Sequence, residues 1–218
     1  FSVQRLVQTV QPELGPGVKE WPTAAMHDAA ETVATKLPDD AAIIGGNAAE
    51  YLYPYQRAGV DFLAEHPHSI LADDMGLGKT IQSIAAVYEY AARNGGTMPG
   101  RKLIVCPNSS ALNWAKEIKH WVPTMYGFEP TVMVLSGSKA KREKVLRALA
   151  LPEHEHTWLI INYEKLRIVP ELTKFEWAAI IADESHRAKN RKAQQTKALW
   201  KLRAPLQFAL SGTPIMNR

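Results

Sequence analysis

Largely apolar, strand-like runs alternate with helix-like stretches over most of this 218-residue chain, and this alternation constrains its fold most strongly. The runs lie at residues 69–73, 102–106, 131–135, 157–161, 178–182 and 206–210. The helix-like stretches lie at about residues 54–65, 80–93, 109–120, 138–150 and 193–203. Continuous apolar runs are typical of strands that are buried on both faces. Their alternation with helices predicts βαβ units, and therefore an α/β fold with a mostly parallel central sheet.

The segment between the first of these runs and the next helix has the pattern of a phosphate-binding loop. Residues 72–80 are Ala-Asp-Asp-Met-Gly-Leu-Gly-Lys-Thr. Two glycines permit the tight turn that aims backbone N–H groups at an anion, and the following helix adds the positive end of its dipole. Lys79 supplies a charge for the β- and γ-phosphates, and the Thr80 hydroxyl can ligate Mg²⁺. Although Asp73 stands where the general pattern has glycine, the context predicts binding of a nucleoside triphosphate.

Two carboxylates, Asp183 and Glu184, come directly after the apolar run that ends at Ala182. In a phosphate-loop enzyme the first acid holds Mg²⁺, and the second orients and deprotonates the attacking water. A solvated acidic loop after a strand is a common alternative. The order and spacing of these acids after Lys79 favour a nucleotide hydrolase, in which Lys79, Asp183 and Glu184 are the catalytic residues.

Two weaker motifs accompany these elements. Ser211 and Thr213 follow the last apolar run, and their hydroxyls could bond to the loop at residues 183–186 and report phosphate status to another surface. Gln56 precedes the phosphate loop and offers the donor and acceptor that an adenine edge requires. Each motif alone indicates no more than a turn or the start of a surface helix.

In combination, the motifs resemble those of the Swi/Snf-type branch of the superfamily-two helicase-related ATPases, which includes DNA translocases and remodellers. Tyr55-Gln56 is similar to the adenine motif of that family. Residues 73–80 are similar to its phosphate loop, Asp-Glu-Met-Gly-Leu-Gly-Lys-Thr, with Asp74 in place of glutamate. The missing glycine is therefore a trait of the family.

The remaining family motifs also have counterparts in this chain. Residues 183–190, Asp-Glu-Ser-His-Arg-Ala-Lys-Asn, resemble the second motif, and residues 211–217, Ser-Gly-Thr-Pro-Ile-Met-Asn, resemble the third. The segment from Val105 to Glu117 and the segment at residues 162–164 resemble two motifs that are associated with DNA. The resemblance covers about residues 52–217.

This resemblance implies a RecA-like three-layer first lobe that binds ATP and Mg²⁺ and translocates on double-stranded DNA. The implied ATP-binding residues are Gln56, Asp74, Met75, Gly76, Leu77, Gly78, Lys79 and Thr80. Mg²⁺ is expected between Thr80, Asp183 and the phosphates. The residues expected to couple this site to DNA and to a second lobe are His186, Ser211 and Thr213. The implied DNA contacts are Asn113, Trp114, Asn162, Tyr163, Lys189 and Asn190.

Family members also have a second RecA-like lobe, whose arginines complete the ATP site. An arginine finger can contribute ~10³-fold or more to hydrolysis. We therefore expect this chain to be the N-terminal lobe of a longer protein, monomeric and nearly inactive alone. Two alternatives remain open. One is the lobe of a superfamily-two RNA helicase, which residues 75–78 fit less well. The other is a DNA-binding or docking fragment that no longer hydrolyses ATP.

Charge is unevenly distributed along the chain. Residues 1–50 contain three basic and seven acidic side chains, and the remaining residues contain 23 basic and 15 acidic ones. This asymmetry predicts an N-terminal accessory segment at residues 1–50, followed by the nucleotide-binding lobe at residues 51–218. A helix is expected within the N-terminal segment, at about residues 23–36. Basic clusters at residues 139–147 and 186–203 suit either DNA phosphates or solvated helix faces.

Cys106 is the chain's one cysteine, and it lies within an apolar run. This position predicts a core thiol and excludes a disulfide framework within the chain. No apolar run approaches the ~20 residues that a membrane-spanning helix needs, and the first residues lack a signal-peptide pattern. These features predict an intracellular protein with no membrane partner.

Overall fold

A seven-stranded sheet forms the centre of the fold. The computed structural model describes residues 7–9, 43–96 and 100–212. The strands are β1 (Val7–Thr9), β2 (His68–Leu71), β3 (Lys102–Cys106), β4 (Val132–Val134), β5 (Trp158–Asn162), β6 (Ala179–Ala182) and β7 (Leu206–Leu210). Their order is β1-β2-β7-β6-β3-β5-β4, and every pairing is parallel except that of β1 with β2. The predicted α/β fold with a mostly parallel sheet is confirmed.

Helices cover both faces of this sheet and complete three layers. They are α1 (Ala48–Tyr51), α2 (Pro54–Glu65), α3 (Lys79–Arg93), α4 (Ala111–Tyr126), α5 (Lys139–Leu149), α6 (Tyr163–Leu166) and α7 (Gln194–Trp200). Short 3₁₀ segments lie at Asn108–Ser110, Pro152–His154, Pro170–Lys174 and Ser185–Ala188. Within the described ranges, none of the helices is long and apolar enough to cross a membrane.

The strands contribute side chains to two separate apolar clusters, one on each face of the sheet. On β3, Ile104 belongs to the cluster that includes residues of α1 to α4, whereas Leu103 and Val105 belong to the cluster that includes residues of α5 to α7. All five residues of β3 are buried. The continuous apolar runs therefore reflect burial on both faces, as the pattern predicted. Cys106 is a buried core thiol, and burial raises its pKa to about 12.

Helix α4 continues well beyond the end that the sequence pattern placed near residue 120. Its buried residues Ile118, Val122 and Met125 keep the spacing of one helical face, although Pro123 lies inside the helix. The helix ends at Gly127, which has a φ of 76° and whose N–H donates to the carbonyl of Pro123 at 2.9 Å. A glycine in the left-handed conformation is a common C-terminal cap. Burial of this apolar face and the glycine cap stabilise the last turns of the helix more than Pro123 destabilises them.

Residues 43–48 pack against the body of the lobe. The backbone N–H groups of Ile44 and Gly45 donate to the buried carboxylate of Glu89 at 3.0 and 2.6 Å. The N–H of Asn47 donates to the carbonyl of Met125 at 2.8 Å. The division of the chain at residue 50 stays a prediction, and the helix expected at about residues 23–36 lies outside the described residues.

Candidate ATP-binding site

The loops that carry the nucleotide motifs meet at the carboxyl ends of neighbouring parallel strands. The phosphate loop follows β2, Ser211 follows β7, and Asp183 follows β6, in the order in which these strands lie in the sheet. Two backbone bonds extend this arrangement beyond the strands, from the N–H of Ser211 to Leu71 at 3.1 Å and from the N–H of Asp183 to Val105 at 2.8 Å. The carboxyl edge of a parallel sheet is where α/β proteins bind their ligands.

The phosphate loop turns at two glycines in the left-handed conformation, Gly76 with a φ of 85° and Gly78 with a φ of 74°. At Gly78 the space is restricted as well, because a Cβ there would lie 2.4 Å from Nε2 of Gln56. Helix α3 then begins at Lys79 and directs its N-terminus at the loop. This conformation is one that glycine adopts readily and other residues rarely do.

Lys79 lies between the phosphate loop and the acidic pair. Its Nζ donates to the carbonyls of Asp73 and Asp74 at 2.8 and 3.0 Å. Burial lowers the pKa of Lys79, while the negative charges of Asp73, Glu184, Asp183 and Asp74 act in the opposite direction. The three predicted catalytic residues thus lie at the same edge of the sheet, after the carboxyl ends of β2 and β6, and their charges influence one another.

Asp73, which stands where the general pattern has glycine, stabilises the phosphate loop through a buried hydrogen bond. It is fully buried, and its Oδ2 accepts a hydrogen bond from Nε2 of Gln82 at 3.0 Å. The same nitrogen donates to the carbonyl of Leu77 at 3.0 Å. Gln82 thus links Asp73 to Leu77 within the loop, a role that the sequence did not predict. The sequence sign of this role is the position of Gln82 among the apolar residues of α3, where its side chain is completely buried.

Gln56 also supports the phosphate loop. Its Nε2 donates to the carbonyl of Leu77 at 3.3 Å, and its Oε1 accepts from the N–H of Tyr53 at 3.1 Å. The residue is only 6% exposed. Both halves of the amide are therefore engaged within the chain, and the predicted adenine contact stays a prediction.

Asp183 accepts three hydrogen bonds. Its Oδ2 accepts from Nε1 of Trp114 at 2.9 Å, and its Oδ1 accepts from the N–H of Glu184 at 2.9 Å. Its backbone carbonyl accepts from the hydroxyl of Tyr163 at 2.8 Å. Burial raises the pKa of the Asp183 carboxyl, and the bond from Trp114 opposes that shift. These hydrogen bonds thus fix the orientation of the Asp183 carboxylate in the site.

Glu184 has an unusual backbone conformation. With a φ of 50°, it is the one residue other than glycine with positive φ in the part of the chain that the structure describes. Such a conformation costs of order 1–3 kcal/mol and persists where the surroundings enforce it, often at functional sites. The side chain is one third exposed, and its Oε2 lies 3.1 Å from Nδ1 of His186. Glu184 therefore remains accessible, whereas its neighbour Asp183 is clamped.

The residues present fit a magnesium ion. Thr80 offers a hydroxyl and Asp183 a carboxylate, the hard oxygen donors that Mg²⁺ prefers. Among residues 43–96 and 100–212, no group of three or more His, Cys, Asp or Glu side chains could form a metal site by itself. A site with two protein ligands suits an ion whose other ligands are phosphates and water.

The structure describes two of the three predicted coupling residues, Ser211 and His186. Ser211 is buried, and a Cβ added to the next residue, Gly212, would lie 2.8 Å from Cγ of Met75 and 3.7 Å from Nζ of Lys79. The third motif therefore touches the phosphate loop directly. His186 lies beside Glu184, and Thr213 lies outside the described residues. The coupling roles of these residues stay predictions.

Trp114 and Tyr163 are 1% and 0% exposed. The indole N–H of Trp114 donates to the carboxylate of Asp183, and the hydroxyl of Tyr163 donates to the backbone carbonyl of Asp183. This burial gives no support to the direct DNA contacts predicted for these two residues, which stay predictions. Asn162 is 8% exposed, and its amide joins Asn108 at 3.0 Å and caps α6. This geometry gives no support to a DNA contact of Asn162.

The other predicted DNA contacts are accessible. Asn113, Lys189 and Asn190 have exposed side chains. Oδ1 of Asn190 accepts from the N–H of Lys192 at 3.0 Å, which shapes the loop that carries Lys189. Their DNA contacts stay predictions.

Comparison with known proteins gives consistent matches. A model of the SNF2-related domain matches residues 55–218. The helicase swr1 of Emericella nidulans is 37% identical over 171 residues, which are 76% of this chain and 10% of that protein. The human DNA excision repair protein ERCC-6 is 33% identical over 193 residues, which are 82% of this chain and 12% of that protein. The chain thus spans about a tenth of the length of these relatives.

Two further similarities extend this result. The DNA repair and recombination protein RAD54-like of Drosophila persimilis is 34% identical over 180 residues, which are 76% of this chain and 23% of that protein. A solved structure of the Sulfolobus solfataricus SWI2/SNF2 ATPase core in complex with dsDNA is similar with a TM-score of 0.64 and 28% identity. The match covers 81% of this chain and 35% of that one. The predicted RecA-like fold is confirmed.

Proposed function

The chain belongs to the SNF2-related domain family, and from that premise we propose that it is the N-terminal ATP-binding lobe of an ATP-dependent translocase on double-stranded DNA. One observation carries the proposal. The phosphate loop with Lys79 and the acids Asp183 and Glu184 follow the carboxyl ends of β2 and β6, the two strands that flank β7, and the charges of both acids act on Lys79. A cation for phosphates beside two acids is the arrangement that phosphoryl transfer requires.

In this proposal the phosphate loop binds ATP through its backbone N–H groups and Lys79. Lys79 exchanges its bonds to the carbonyls of Asp73 and Asp74 for bonds to the β- and γ-phosphates. Gln82 and Gln56 support the conformation of the loop by donating hydrogen bonds to the carbonyl of Leu77. The N-terminus of α3 adds its dipole to the same anion.

Thr80 and Asp183 would hold Mg²⁺, which neutralises charge that develops on the phosphate oxygens when it is bound. Asp183 is suited to this role because its carboxylate is already oriented by Trp114 and by the N–H of Glu184. Glu184 is suited to accept a proton from the attacking water, since its carboxylate is accessible and lies next to His186. Completion of the site by arginines of a second lobe is part of the proposal.

Double-stranded DNA is the proposed nucleic-acid partner. The similar Sulfolobus structure is a complex with dsDNA, and two of the relatives are named as DNA repair proteins. These similarities support a DNA substrate over the alternative of an RNA helicase lobe. The exposed residues Asn113, Lys189 and Asn190 are the proposed contacts, and contacts to phosphates would be independent of sequence. A monomeric state and an intracellular location remain predictions.

Calorimetric titration with ATP and Mg²⁺ tests the nucleotide site. The Lys79→Ala variant loses the charge that the phosphates require, and we expect its affinity to fall by about tenfold or more, as loss of a charge-assisted bond implies. Lys174→Ala, which removes an exposed lysine from a 3₁₀ segment, is the matched control and should bind as the unaltered chain does. Equal affinities for the two variants would disprove the proposed site.

Turnover measurements test the need for a second lobe. We expect the chain to hydrolyse ATP very slowly with duplex DNA, single-stranded DNA or RNA, because the arginine contribution is about 10³-fold or more. Duplex-stimulated turnover at the ~10 s⁻¹ typical of complete enzymes would refute this dependence. Tighter binding to RNA than to duplex DNA in the same buffer would favour the RNA helicase alternative.

A further inference from the structure

We propose that Trp114 is a positioning residue for the magnesium-binding carboxylate, an inference that rests on the function proposed above. Its indole Nε1 donates to Oδ2 of Asp183 at 2.9 Å, and its side chain is 1% exposed. The bond joins residues that are far apart in sequence, from the first turn of α4 to the loop after β6. The indole thus connects a helix to a functional carboxylate across the carboxyl edge of the sheet.

The direction of this bond distinguishes Trp114 from an ordinary core residue. A buried indole N–H needs an acceptor, and a backbone carbonyl is sufficient for packing. Trp177 donates to the carbonyl of Leu172, and Trp158 donates to the hydroxyl of Tyr88, both away from the site. Trp114 instead donates to the carboxylate of Asp183, which is the one proposed to bind the metal.

The bond fixes the orientation of the carboxylate and leaves it free to act as a ligand. Oδ1 accepts one bond from the N–H of Glu184, and Oδ2 accepts one bond from Trp114. Each carboxylate oxygen has about two acceptor sites, so one on each oxygen remains for Mg²⁺ or for a water that ligates it. A ligand that is held by supporting bonds loses little freedom when the metal binds.

The test compares Trp114→Phe with Trp121→Phe. Both variants remove an indole N–H from α4 that donates to a carboxylate, but Trp121 donates to Glu117 at 2.7 Å, outside the site. Binding of a fluorescent ATP analogue is measured at increasing Mg²⁺ concentrations and also without Mg²⁺. We expect Trp114→Phe to raise the half-saturating Mg²⁺ concentration about fivefold or more, as the loss of a supporting residue around a metal commonly does. Its affinity for the analogue without Mg²⁺ should stay close to that of Trp121→Phe.

Asp183→Asn separates failure of this inference from failure of the proposed function. If the unaltered chain shows no effect of Mg²⁺ and Asp183→Asn behaves identically, the proposed metal site itself is wrong. If Asp183→Asn loses the Mg²⁺ effect and Trp114→Phe retains it at the original concentration, only the role of Trp114 is wrong. A parallel loss of stability and of Mg²⁺-independent binding in Trp114→Phe shows a purely structural role and also overturns the inference.

A measurement on the unaltered chain covers the case in which Trp114→Phe does not fold. The indole N–H resonances of Trp114 and Trp121 are followed by ¹⁵N NMR while Mg²⁺ is added to the chain saturated with the ATP analogue. We expect the Trp114 resonance to shift, because its acceptor shares charge with the metal, and the Trp121 resonance to stay in place. A Trp114 resonance that does not respond to Mg²⁺ contradicts the proposal.

Discussion

At the scale of single residues, the functional groups follow from sequence, but their supports do not. The phosphate-loop pattern predicted Lys79 and Thr80, and the acids after a strand predicted Asp183 and Glu184. The partners that hold these residues come from distant segments, such as Trp114 on α4, and no local pattern relates them to the site. The resemblance implied a DNA contact for Trp114, and it did not indicate that the indole N–H donates to Asp183 inside the protein.

The fastening of the phosphate loop by Gln82 leads to a first prediction. Gln82→Leu removes the donor shared by the buried carboxylate of Asp73 and the half-buried carbonyl of Leu77, and each acceptor then has one bond fewer. We expect the free energy of unfolding to fall by about 1–3 kcal/mol, together with a loss of ATP affinity. Urea denaturation measures the first effect and calorimetry the second.

Gln195→Leu is the control for this prediction, because Gln195 is only half-buried and its amide donates to the carbonyl of Arg187 through a solvent-exposed hydrogen bond. Its stability should change by less than about 0.5 kcal/mol, as is usual for surface substitutions. Similar losses in the two variants would show that Gln82 is not a special support.

Lys102 predicts a dependence of stability on pH. Its ammonium group is buried, donates to the carbonyl of His156 at 2.7 Å, and lies 5.7 and 5.2 Å from the ring centroids of Tyr88 and Trp158. Burial lowers its pKa from 10.5 to about 7. Above pH 7, the folded chain holds the neutral amine while the unfolded chain remains protonated. Unfolding therefore takes up a proton, and stability rises with pH by up to about 1.4 kcal/mol per unit.

Replacement of Lys102 by methionine removes this contribution. We expect the stability of the unaltered chain, relative to Lys102→Met, to rise by about 2 kcal/mol between pH 7 and pH 9. Urea denaturation at pH 7, 8 and 9 measures both chains, and their comparison cancels the titration of all other groups. Parallel pH profiles for the two chains would show that the amine remains protonated in the folded state.

At the scale of elements, the sequence pattern located all six strands and five of the six α-helices that the structure describes between residues 54 and 210. It missed the short helix α6, and the boundaries were its other weakness. Helix α4 continues past Pro123 because its apolar face extends to Met125. The sequence pattern alone does not show how deeply that face is buried. The attachment of residues 43–48 to Glu89 and Met125 could not be predicted either, since it joins segments far apart in sequence.

Gly46 provides a test of that attachment. It has a φ of 58°, and a Cβ there would lie 2.6 Å from both the carbonyl of Met125 and a ring carbon of Tyr126. Gly95 has a φ of 75° with nothing within 4 Å of its Cβ position. Both alanine variants carry backbone strain, but only Gly46→Ala adds a clash.

We expect Gly46→Ala to destabilise the chain by about 1–3 kcal/mol more than Gly95→Ala does, as overpacking typically costs. Chemical denaturation measures the difference, and hydrogen exchange at Ile44 and Gly45 reports whether their bonds to Glu89 open. Equal stability of the two variants would indicate that residues 43–48 contribute little to the lobe.

At the scale of the whole molecule, sequence predicted the class of sheet but not its strand order. Placement of β7 between β2 and β6 is what sets Ser211 between the phosphate loop and the acidic pair. This order depends on how all the βαβ units wind together, and no single motif determines it. The family resemblance supplied the RecA-like arrangement that the apolar runs left open.

The two basic clusters predict different responses to salt. In Lys189→Ala, a phosphate contact near the site is lost, and we expect weaker duplex binding with a salt slope reduced by about one. Lys141→Ala removes an exposed lysine from the other cluster, on α5, and should leave the slope unchanged. Fluorescence anisotropy at several salt concentrations measures both variants. A reduced slope in Lys141→Ala alone would assign the DNA surface to α5.

The bonds of Lys79 to its own loop have a consequence for how ligands compete. Because the ammonium group already has two carbonyl acceptors, an incoming phosphate replaces existing partners and does not meet an unsatisfied charge. The net gain in free energy is then the difference between two sets of bonds, which is far smaller than either set alone. Such a balance makes release of a bound phosphate easier than release from an ammonium group that has no other partner.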